Sequence, residues 1–227
     1  MLQMSRRLSL ALLIIGCLSA MTGCQLMCQI PALFQSSDQV ETIFPPSNGF
    51  RVYVNPILQG KRPKRVLLIA SGYGNGSYDA DQKMINELAT QIRLQGKFDV
   101  VTNPGARLEH HADNILEGKF SEREIARWSR QYNVDAIGLV KVNELSEVAP
   151  LRASLTIAFI DSDQTVVACG VDGVWDLANQ RTLQAYGGFW NNAGIPVHER
   201  EIRLQSPSSL MKFMSVEICT AMTEAGY

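Results

Sequence analysis

The stretch from residue 134 to residue 176 constrains the fold of this chain more than any other, because it contains three apolar segments separated by two polar turns. In the second and third segments, large apolar residues recur at every second position. The residues that share one face in this way are Leu155, Ile157, Phe159, Val167, Cys169, Val171 and Trp175. Such alternation is typical of a pleated strand with one buried face. The sequence therefore predicts an antiparallel meander of three strands, with Trp175 in the core, on which the remaining chain packs.

The polar turn between the second and third segments comprises residues 161–164. Its short polar side chains can hydrogen-bond their own backbone and so close a hairpin. If the turn joins adjacent antiparallel strands, it lies at the surface and its carboxylates are solvated. Replacing Ser162-Asp163 by Asn-Gly, the pair that best accepts positive φ, is then expected to be neutral or mildly stabilising.

Strand and helix patterns alternate before the meander and give way to helices after it. The predicted elements are an edge strand at 50–54, a strand at 65–70, a helix at 79–95, a strand at 98–102, a turn at 103–105, a helix opened by the capping box of Ser121 and Glu124, a short helix at 177–186, an irregular segment at 187–202 and a final helix from Pro207. Helical connections imply parallel pairing in the first half and the meander implies antiparallel pairing in the second. We therefore expect an α/β (α+β) fold, in which helices pack against a mixed β-sheet with an antiparallel C-terminal meander.

The first 23 residues are typical of an export signal. Arg6 and Arg7 precede the apolar run at 8–21, which has the length of a signal h-region and is shorter than the roughly 20 residues of a permanent membrane helix. The run ends in Met21-Thr22-Gly23-Cys24, which resembles the bacterial lipobox. The resemblance implies that Cys24 is the lipid attachment site and becomes an acylated, palmitate-bearing N-terminus, anchored in the membrane by its acyl chains. An ordinary secretory signal followed by an unrelated cysteine is the alternative.

The segment after the cysteine, residues 24–48, lacks sustained periodicity and is predicted to be a flexible tether. A flexible chain of this length has a root-mean-square reach of about 25–30 Å. Residues 49–227 are then expected to form a single mixed α/β domain. Gln25 follows Cys24, whereas Asp at that place favours inner-membrane retention in proteobacterial lipoproteins. The resemblance therefore favours the periplasmic side of the outer membrane.

Three short runs resemble a group of bacterial envelope proteins. They are Ile125-Ala126 in a helix, residues 134–142 at its exit, and residues 159–167 around the predicted hairpin. The group contains the lipoprotein activators of penicillin-binding proteins, the curli-secretion lipoprotein and the N-terminal domain of the Tol periplasmic protein. The resemblance covers residues 65–176 and the start of the last helix at Ser206-Pro207. It implies the fold and a cell-envelope location, and it carries no catalytic residue.

Charge and motif spacing count against several function classes. Without Arg6 and Arg7 the chain keeps 19 basic and 22 acidic residues, so it lacks the overall charge of a nucleic-acid-binding protein. The glycine-rich run at 72–76 matches neither a dinucleotide-binding loop nor a Walker A motif. The run at 109–113 contains His110 and His111 without further ligands at metal-site spacing. No nucleophile motif is present, and we expect neither an enzyme nor a bound cofactor or metal.

Two cysteines lie on apolar faces of predicted elements. Cys169 falls in the third meander strand and Cys219 in the final helix. Both are expected to be small buried hydrophobes. A disulfide between strand and helix is the alternative in an oxidising compartment.

The leading hypothesis is a lipid-anchored, non-enzymatic envelope protein that docks another envelope protein or assembles with copies of itself. A periplasmic small-molecule or glycan-binding lipoprotein is the second hypothesis, since Phe189, Trp190 and Asn191 could stack on and hydrogen-bond a sugar. An unrecognised hydrolase is the third. Exposure of Phe189 and Trp190 around a concavity would favour the second hypothesis, and their burial would favour packing.

Overall fold

The computed structural model describes residues 42–44, 49–58, 60–71, 78–108, 115–117, 120–193 and 195–227. All of them fall in a unit that spans residues 36–227. The predicted export signal, Cys24, most of the predicted tether, the glycine-rich run and the histidine-containing run lie outside the described residues.

The described elements alternate as the fold prediction requires. The strands are β1 (Thr42–Phe44), β2 (Phe50–Val54), β3 (Arg65–Ser71), β4 (Asp99–Leu108), β5 (Ala136–Leu145), β6 (Arg152–Asp161) and β7 (Val167–Asp176). The helices are α1 (Tyr78–Gln95), α2 (Glu122–Tyr132), α3 (Gln180–Asn192), α4 (Val197–Leu204) and α5 (Pro207–Glu224), with short 3-10 turns at Pro56–Leu58 and Ile115–Glu117.

The strands form one mixed sheet in the order β1-β2-β7-β6-β5-β3-β4. Strand β3 pairs in parallel with β4 and β5, across the helical connections. Strands β5, β6 and β7 are an antiparallel meander, and β2 pairs antiparallel with β7. The predicted fold class and the predicted meander are therefore confirmed.

Two strands differ from the prediction. Strand β2 is not an edge strand, because β1, which lies in the predicted tether, pairs with it antiparallel. Strand β4 continues through the predicted turn at 103–105, and its pairing with β3 shifts between Thr102 and Arg107. Pro104 is tolerated there because β4 is at the edge of the sheet, where a strand can bulge and a missing N–H breaks no central ladder.

One face of the sheet packs against α1, α3 and α5 in the main hydrophobic core. Trp175 is fully buried in it, and its indole N–H donates to Glu217 Oε2 at 2.8 Å. The Phe50 ring stacks on Trp175 with centroids 5.0 Å apart. This stacking requires Gly173 opposite Phe50, since a Cβ at residue 173 would lie 2.1 Å from Phe50 Cβ. The prediction that Trp175 faces the core is confirmed.

Among the residues that the structure describes, the opposite face of the sheet is covered by one helix and one 3-10 turn. Helix α2 packs against β5 through the fully buried Ile125, and the 3-10 turn Ile115–Glu117 packs against β6. Leu116 in that turn lies over Gly170, where a Cβ would come within 2.7 Å of its side chain. A right-handed crossover from β4 back to β5 places α2 on the side opposite α1. Beyond these covers, the face carries the polar side chains of Thr156 and Asp172 together with the exposed Val174.

The segment after the meander is more helical than predicted. Residues 187–192 continue α3, and α4 follows within the stretch predicted to be irregular. Asn179 caps the start of α3, because its Oδ1 accepts from the Arg181 N–H at 2.9 Å. Gly187 and Gly188 lower helix propensity, but the burial of Tyr186 and Trp190 on the same helix offsets this.

Candidate interaction surface

The three residues predicted to form a sugar-stacking site differ in exposure: Trp190 is buried in the core, Phe189 is partly buried against it and Asn191 is exposed. Trp190 is 2% exposed, and Phe189 lies edge-on to it with centroids 4.8 Å apart. Phe189 also packs 5.6 Å from Phe213 of α5, and Tyr186 packs 5.3 Å from the same ring. Asn191 is exposed on the last turn of α3. The burial of Trp190 and the packing of Phe189 against the core favour a packing role for these rings over glycan stacking.

Two cations cover the outer side of this aromatic cluster. Arg203 of α4 lies 5.2 Å and Lys212 of α5 lies 5.8 Å from the Trp190 ring centroid. The Tyr186 hydroxyl donates to the Arg203 carbonyl at 2.8 Å, and burial raises the pKa of Tyr186 to about 12. These contacts hold α4 against α3 and close the core at this end.

The β6–β7 turn is organised by one buried carboxylate. Asp161 Oδ1 accepts from the N–H groups of Asp163 and Gln164 at 3.0 and 2.9 Å, and its Oδ2 lies 2.8 Å from Lys61 Nζ. Lys61 also bonds Asp163, and the bond to Asp161 is the main cause that raises the pKa of Lys61. The expectation of solvated carboxylates is correct for Asp163, whose side chain is 78% exposed, and wrong for Asp161, at 8%.

The backbone of this turn also differs from the expectation. Positive φ occurs at Thr165, where it is 56°, and not at Ser162 or Asp163. The Thr165 N–H donates to the Asp161 carbonyl, so the chain reverses one residue later than an Asn-Gly turn would require. A β-branched residue in the left-handed region is strained, and the Asp161 contacts hold it there.

A pocket of about 210 Å³ adjoins this turn and is lined by Lys61, Asp135, Asp161 and the buried Tyr227, among others. Asp135 Oδ2 accepts from the backbone N–H groups of Lys64 and Arg65 at 2.8 and 3.2 Å. Together the carboxylates of Asp135 and Asp161 tie the starts of β3 and β5 to the β6–β7 turn. Their hydrogen bonds serve the architecture of this end of the sheet.

The first turn of α1 carries two carboxylates. Asp81 is 6% exposed and its Oδ1 accepts from the Val142 N–H at 2.6 Å, beside an irregularity in the β5–β6 pairing. Asp79 pairs with Lys83 at 2.6 Å. Carboxylates in this position repel an anion from the helix N-terminus, so the described part of this region does not favour phosphate binding.

The two core cysteines are buried free thiols. Burial raises the pKa of Cys219 to about 12 and raises that of Cys169 as well. Thiols held in the neutral form by apolar surroundings are poor nucleophiles. The structure thus agrees with the expectation of small buried hydrophobes, and the alternative disulfide is not formed.

A hydrogen-bonded row of polar side chains crosses the open part of the second face. Asn143 Nδ2 donates to Thr156 Oγ1 at 2.9 Å, and Thr156 Oγ1 donates to Asp172 Oδ1 at 3.0 Å. Arg51 pairs with Asp172 at 3.4 Å and lies 5.7 Å from the Tyr53 ring centroid. The row links β5, β6, β7 and β2, and its polar side chains form their hydrogen bonds with one another.

Helix α2 presents a basic face to solvent. Arg123, Arg127 and Arg130 follow one another at spacings of four and three residues, are all exposed, and lie on the same side of the helix as Ser121 and Glu124. Arg127 is 3.3 Å from Glu124, and Arg130 Nε donates to its own helix at the Ala126 carbonyl. We refer to these three arginines as the arginine face of α2.

Aromatic rings lie beside the arginine face. Trp128 and Tyr132 stack with centroids 5.6 Å apart and planes at 19°, and the Arg127 guanidinium lies 5.4 Å from the Trp128 centroid. The Tyr132 hydroxyl is hydrogen-bonded to Asn103 of β4. The indole Nε1 of Trp128 has no hydrogen-bond acceptor among the described residues. The sequence reasoning missed this surface, although the helical spacing of its arginines after the Ser121 cap was a signal that could have found it.

No family model matches the sequence, and the search of curated proteins found no match. Among solved structures, a PelC dodecamer from Paraburkholderia phytofirmans is similar with 14% identity and a TM-score of 0.40, over 73% of this chain and 96% of that chain. The hypothetical protein CT253 from Chlamydia trachomatis is similar with 13% identity and a TM-score of 0.35, over 71% of this chain and 96% of that chain. Similarity at this level identifies no family for this protein.

None of the described helices has the length and hydropathy that a membrane span requires. The same part of the chain brings together no group of three or more His, Cys, Asp or Glu side chains that could hold a metal ion.

Proposed function

We propose that this protein is a lipid-anchored, non-enzymatic component of the bacterial cell envelope that acts as a protein-docking or assembly module. The observation that carries the proposal is the N-terminal run ending in Met21-Thr22-Gly23-Cys24, which resembles a lipobox after a short apolar segment. Acylation of Cys24 with two or more chains anchors a protein stably, whereas one chain binds only marginally. The anchor favours the periplasmic side of the outer membrane.

The docking role is supported by how the domain uses its polar groups. The carboxylates of Asp81, Asp135 and Asp161 accept backbone hydrogen bonds that hold the sheet and helices in place. The arginine face of α2, in contrast, is exposed beside two aromatic rings. Arginine, tryptophan and tyrosine are the residues most enriched at the energetic centres of protein interfaces.

The burial of Trp190 supports docking over glycan binding. The second hypothesis depended on Phe189 and Trp190 as stacking platforms, but Trp190 is buried in the core and Phe189 is partly buried against it. Docking of a protein is therefore the preferred function.

Replacement of the lipidated cysteine tests the anchor. Full-length Cys24→Ser is expected to leave the membrane fraction and to lose palmitate incorporation, because the acyl chains are its proposed membrane attachment. Cys28→Ser is the matched control, since it removes a neighbouring cysteine outside the lipobox-like run. If Cys24→Ser still sediments with membranes after a high-salt wash, the anchor is refuted.

Photo-crosslinking tests the docking role. A photoreactive amino acid is placed one at a time at exposed positions of the full-length protein, such as Ile57, Arg130, Val148 and Ile202. Docking predicts a discrete crosslinked species at one group of neighbouring positions, in cells that make the acylated protein. The absence of any crosslinked species at all positions would contradict the docking function.

A further inference from the structure

We infer that the arginine face of α2 binds an acidic segment of a partner protein. The inference rests on the proposed docking function and names its surface and the chemistry of its partner. The exposed side of α2 that carries Arg123, Arg127 and Arg130 is the place where the segment would lie.

The charge of this surface is incompletely compensated. Arg127 forms an ion pair with Glu124. Neither Arg123 nor Arg130 has a carboxylate within ion-pair distance among the described residues. Glu122 is the other acidic residue in the first turn of α2. Guanidinium groups bind carboxylates through two parallel hydrogen bonds, which gives both affinity and orientation. Two uncompensated guanidinium groups on one helix face therefore complement a segment with several carboxylates.

The surface is also held in shape before any partner binds. Arg127 is fixed by its ion pair to Glu124 and by the Trp128 ring, and Trp128 is fixed by its stack on Tyr132. Tyr132 is tied to β4 through Asn103. Side chains that are already ordered lose less conformational entropy on binding, so a preorganised surface binds more tightly.

A protein segment fits this surface better than an anionic membrane. Helices that lie on membranes insert large apolar side chains next to their basic residues. The large apolar side chains that are exposed in the described part of the chain are Ile57, Leu94, Val148, Val174, Leu183 and Ile202. None of them is on α2, so this helix lacks the exposed apolar anchors that binding to a bilayer requires.

The test measures binding of fluorescein-labelled octaglutamate by anisotropy to the full-length protein in detergent, with octaglutamine as the uncharged reference. The charge-reversed variant Arg123→Glu/Arg130→Glu is compared with Lys97→Glu/Arg181→Glu, which changes the net charge equally at exposed positions away from α2. We expect the α2 variant to bind at least about tenfold more weakly and the control variant to change less than about twofold. Binding of the wild type should also weaken as salt is raised.

A conservative variant separates surface chemistry from folding. Arg123→Lys/Arg130→Lys keeps the charge but cannot form the two-bond contact, so its affinity should fall between wild type and the reversed variant. Thermal melts of all variants establish that the compared proteins are folded. If the reversed variant unfolds, the lysine variant alone decides, and unchanged octaglutamate affinity in it would overturn the inference.

Other outcomes also overturn the inference. These are no binding of octaglutamate, equal losses in the α2 and control variants, or stronger arginine-dependent binding to phosphatidylglycerol vesicles than to octaglutamate. Crosslinks at Ile57, Val148 or Ile202 without any at Arg130 would remove α2 as the surface while retaining the docking function.

Discussion

Two tryptophans of this protein hold a guanidinium over the ring at nearly the same distance, yet one lies in the core and the other on the surface. Arg203 is 5.2 Å from the Trp190 centroid, and Arg127 is 5.4 Å from the Trp128 centroid. Trp190 is 2% exposed, whereas Trp128 is only half-buried. The cation–ring contact is therefore similar at Trp190 and Trp128. The two tryptophans differ in which other elements of the protein cover the ring.

The cover of Trp190 comes from three helices. Phe189 and Tyr186 of α3, Arg203 of α4 and Lys212 of α5 all contact or approach the ring. At Trp128, the stacked ring and the cation both come from α2 itself. A stack built by a single helix leaves its outer side available to a partner, whereas one closed by three helices does not. Among the described residues, the arginine–tryptophan pair at Trp128 is therefore the more open of the two.

The largest expected effect comes from truncating the two tryptophans. Trp190→Ala should lower the free energy of unfolding by about 3–5 kcal/mol, because it removes a large buried ring and leaves a cavity. Trp128→Ala should lower it by only about 1 kcal/mol, since the ring is half-buried and its neighbours on α2 can rearrange. Equilibrium urea denaturation of both variants measures the difference. Equal losses would break the comparison and place Trp128 in the core.

Asp161 and Asp163 of the β6–β7 turn allow the same comparison, between a buried and an exposed group, for carboxylates. Asp161→Ala should cost about 2 kcal/mol, because two backbone N–H groups lose their acceptor in a buried setting. Asp163→Ala should cost less than about 0.5 kcal/mol, since its pair with Lys61 is exposed to solvent. Urea denaturation at neutral pH compares the two variants. If Asp163→Ala were the more destabilising, the assignment of Asp161 as the organising residue would be wrong.

The hydroxyl of Tyr186 gives a pH-dependent test of the core cluster. Tyr186→Phe should cost about 1 kcal/mol at neutral pH, because the hydrogen bond to the Arg203 carbonyl is lost. Burial raises the pKa of Tyr186 from 10.0 to about 12, so the unfolded chain loses this proton first as pH rises. The wild type should therefore lose stability between pH 10 and 12, and the phenylalanine variant should lose less over the same range.

Urea titrations at a series of pH values provide the measurement. Other buried groups with a raised pKa, among them Tyr227 and Cys219, remain in both proteins and cancel in the comparison. Parallel pH profiles for the wild type and Tyr186→Phe would show that Tyr186 is not the buried, shifted group described above.

The smallest expected effect concerns the strained backbone of the same turn. Thr165→Gly should stabilise the protein by up to about 1 kcal/mol, because glycine adopts a φ of 56° without strain. Ser162-Asp163→Asn-Gly should give no gain, since φ is not positive at these residues, and it also removes the contact of Asp163 with Lys61. Melting temperatures of the two variants test this order. If the Asn-Gly variant were stabilising and Thr165→Gly destabilising, the result would support the predicted turn, with positive φ at residues 162 and 163.

Much of the fold was predictable because its signals are local. The capping residue Ser121 accepts from the Glu124 N–H at 3.4 Å at the start of α2, which is the first of the two contacts of the predicted capping box. The Glu124 carboxylate pairs with Arg127. Alternation predicted β6 and β7 and the burial of Trp175. The strand β1 and the second half of β4 were missed, because one is a three-residue strand and the other contains Asn103-Pro104-Gly105, which is a turn signal in most settings.

The candidate surface was not predictable to the same degree. The run containing Phe189 and Trp190 has the composition of a binding loop, with glycines before the rings and asparagines after them. Residue type alone does not determine whether such rings are covered. The arginine face of α2 had a readable spacing, but the same spacing also describes an ordinary solvated helix face.

By itself, the sequence determined the meander, the helix cap at Ser121 and the face on which Trp175 is buried, because alternation and capping act over a few neighbouring residues. Only the tertiary structure decided that Asp161 is buried beside Lys61 and that Trp190 is covered while Trp128 is not. These outcomes depend on atoms that are distant in the chain, as Lys61 and Asp163 are, at 102 positions apart. The burial of Asp161 and Trp190 depends on such distant contacts, which their neighbouring residues in the sequence do not specify.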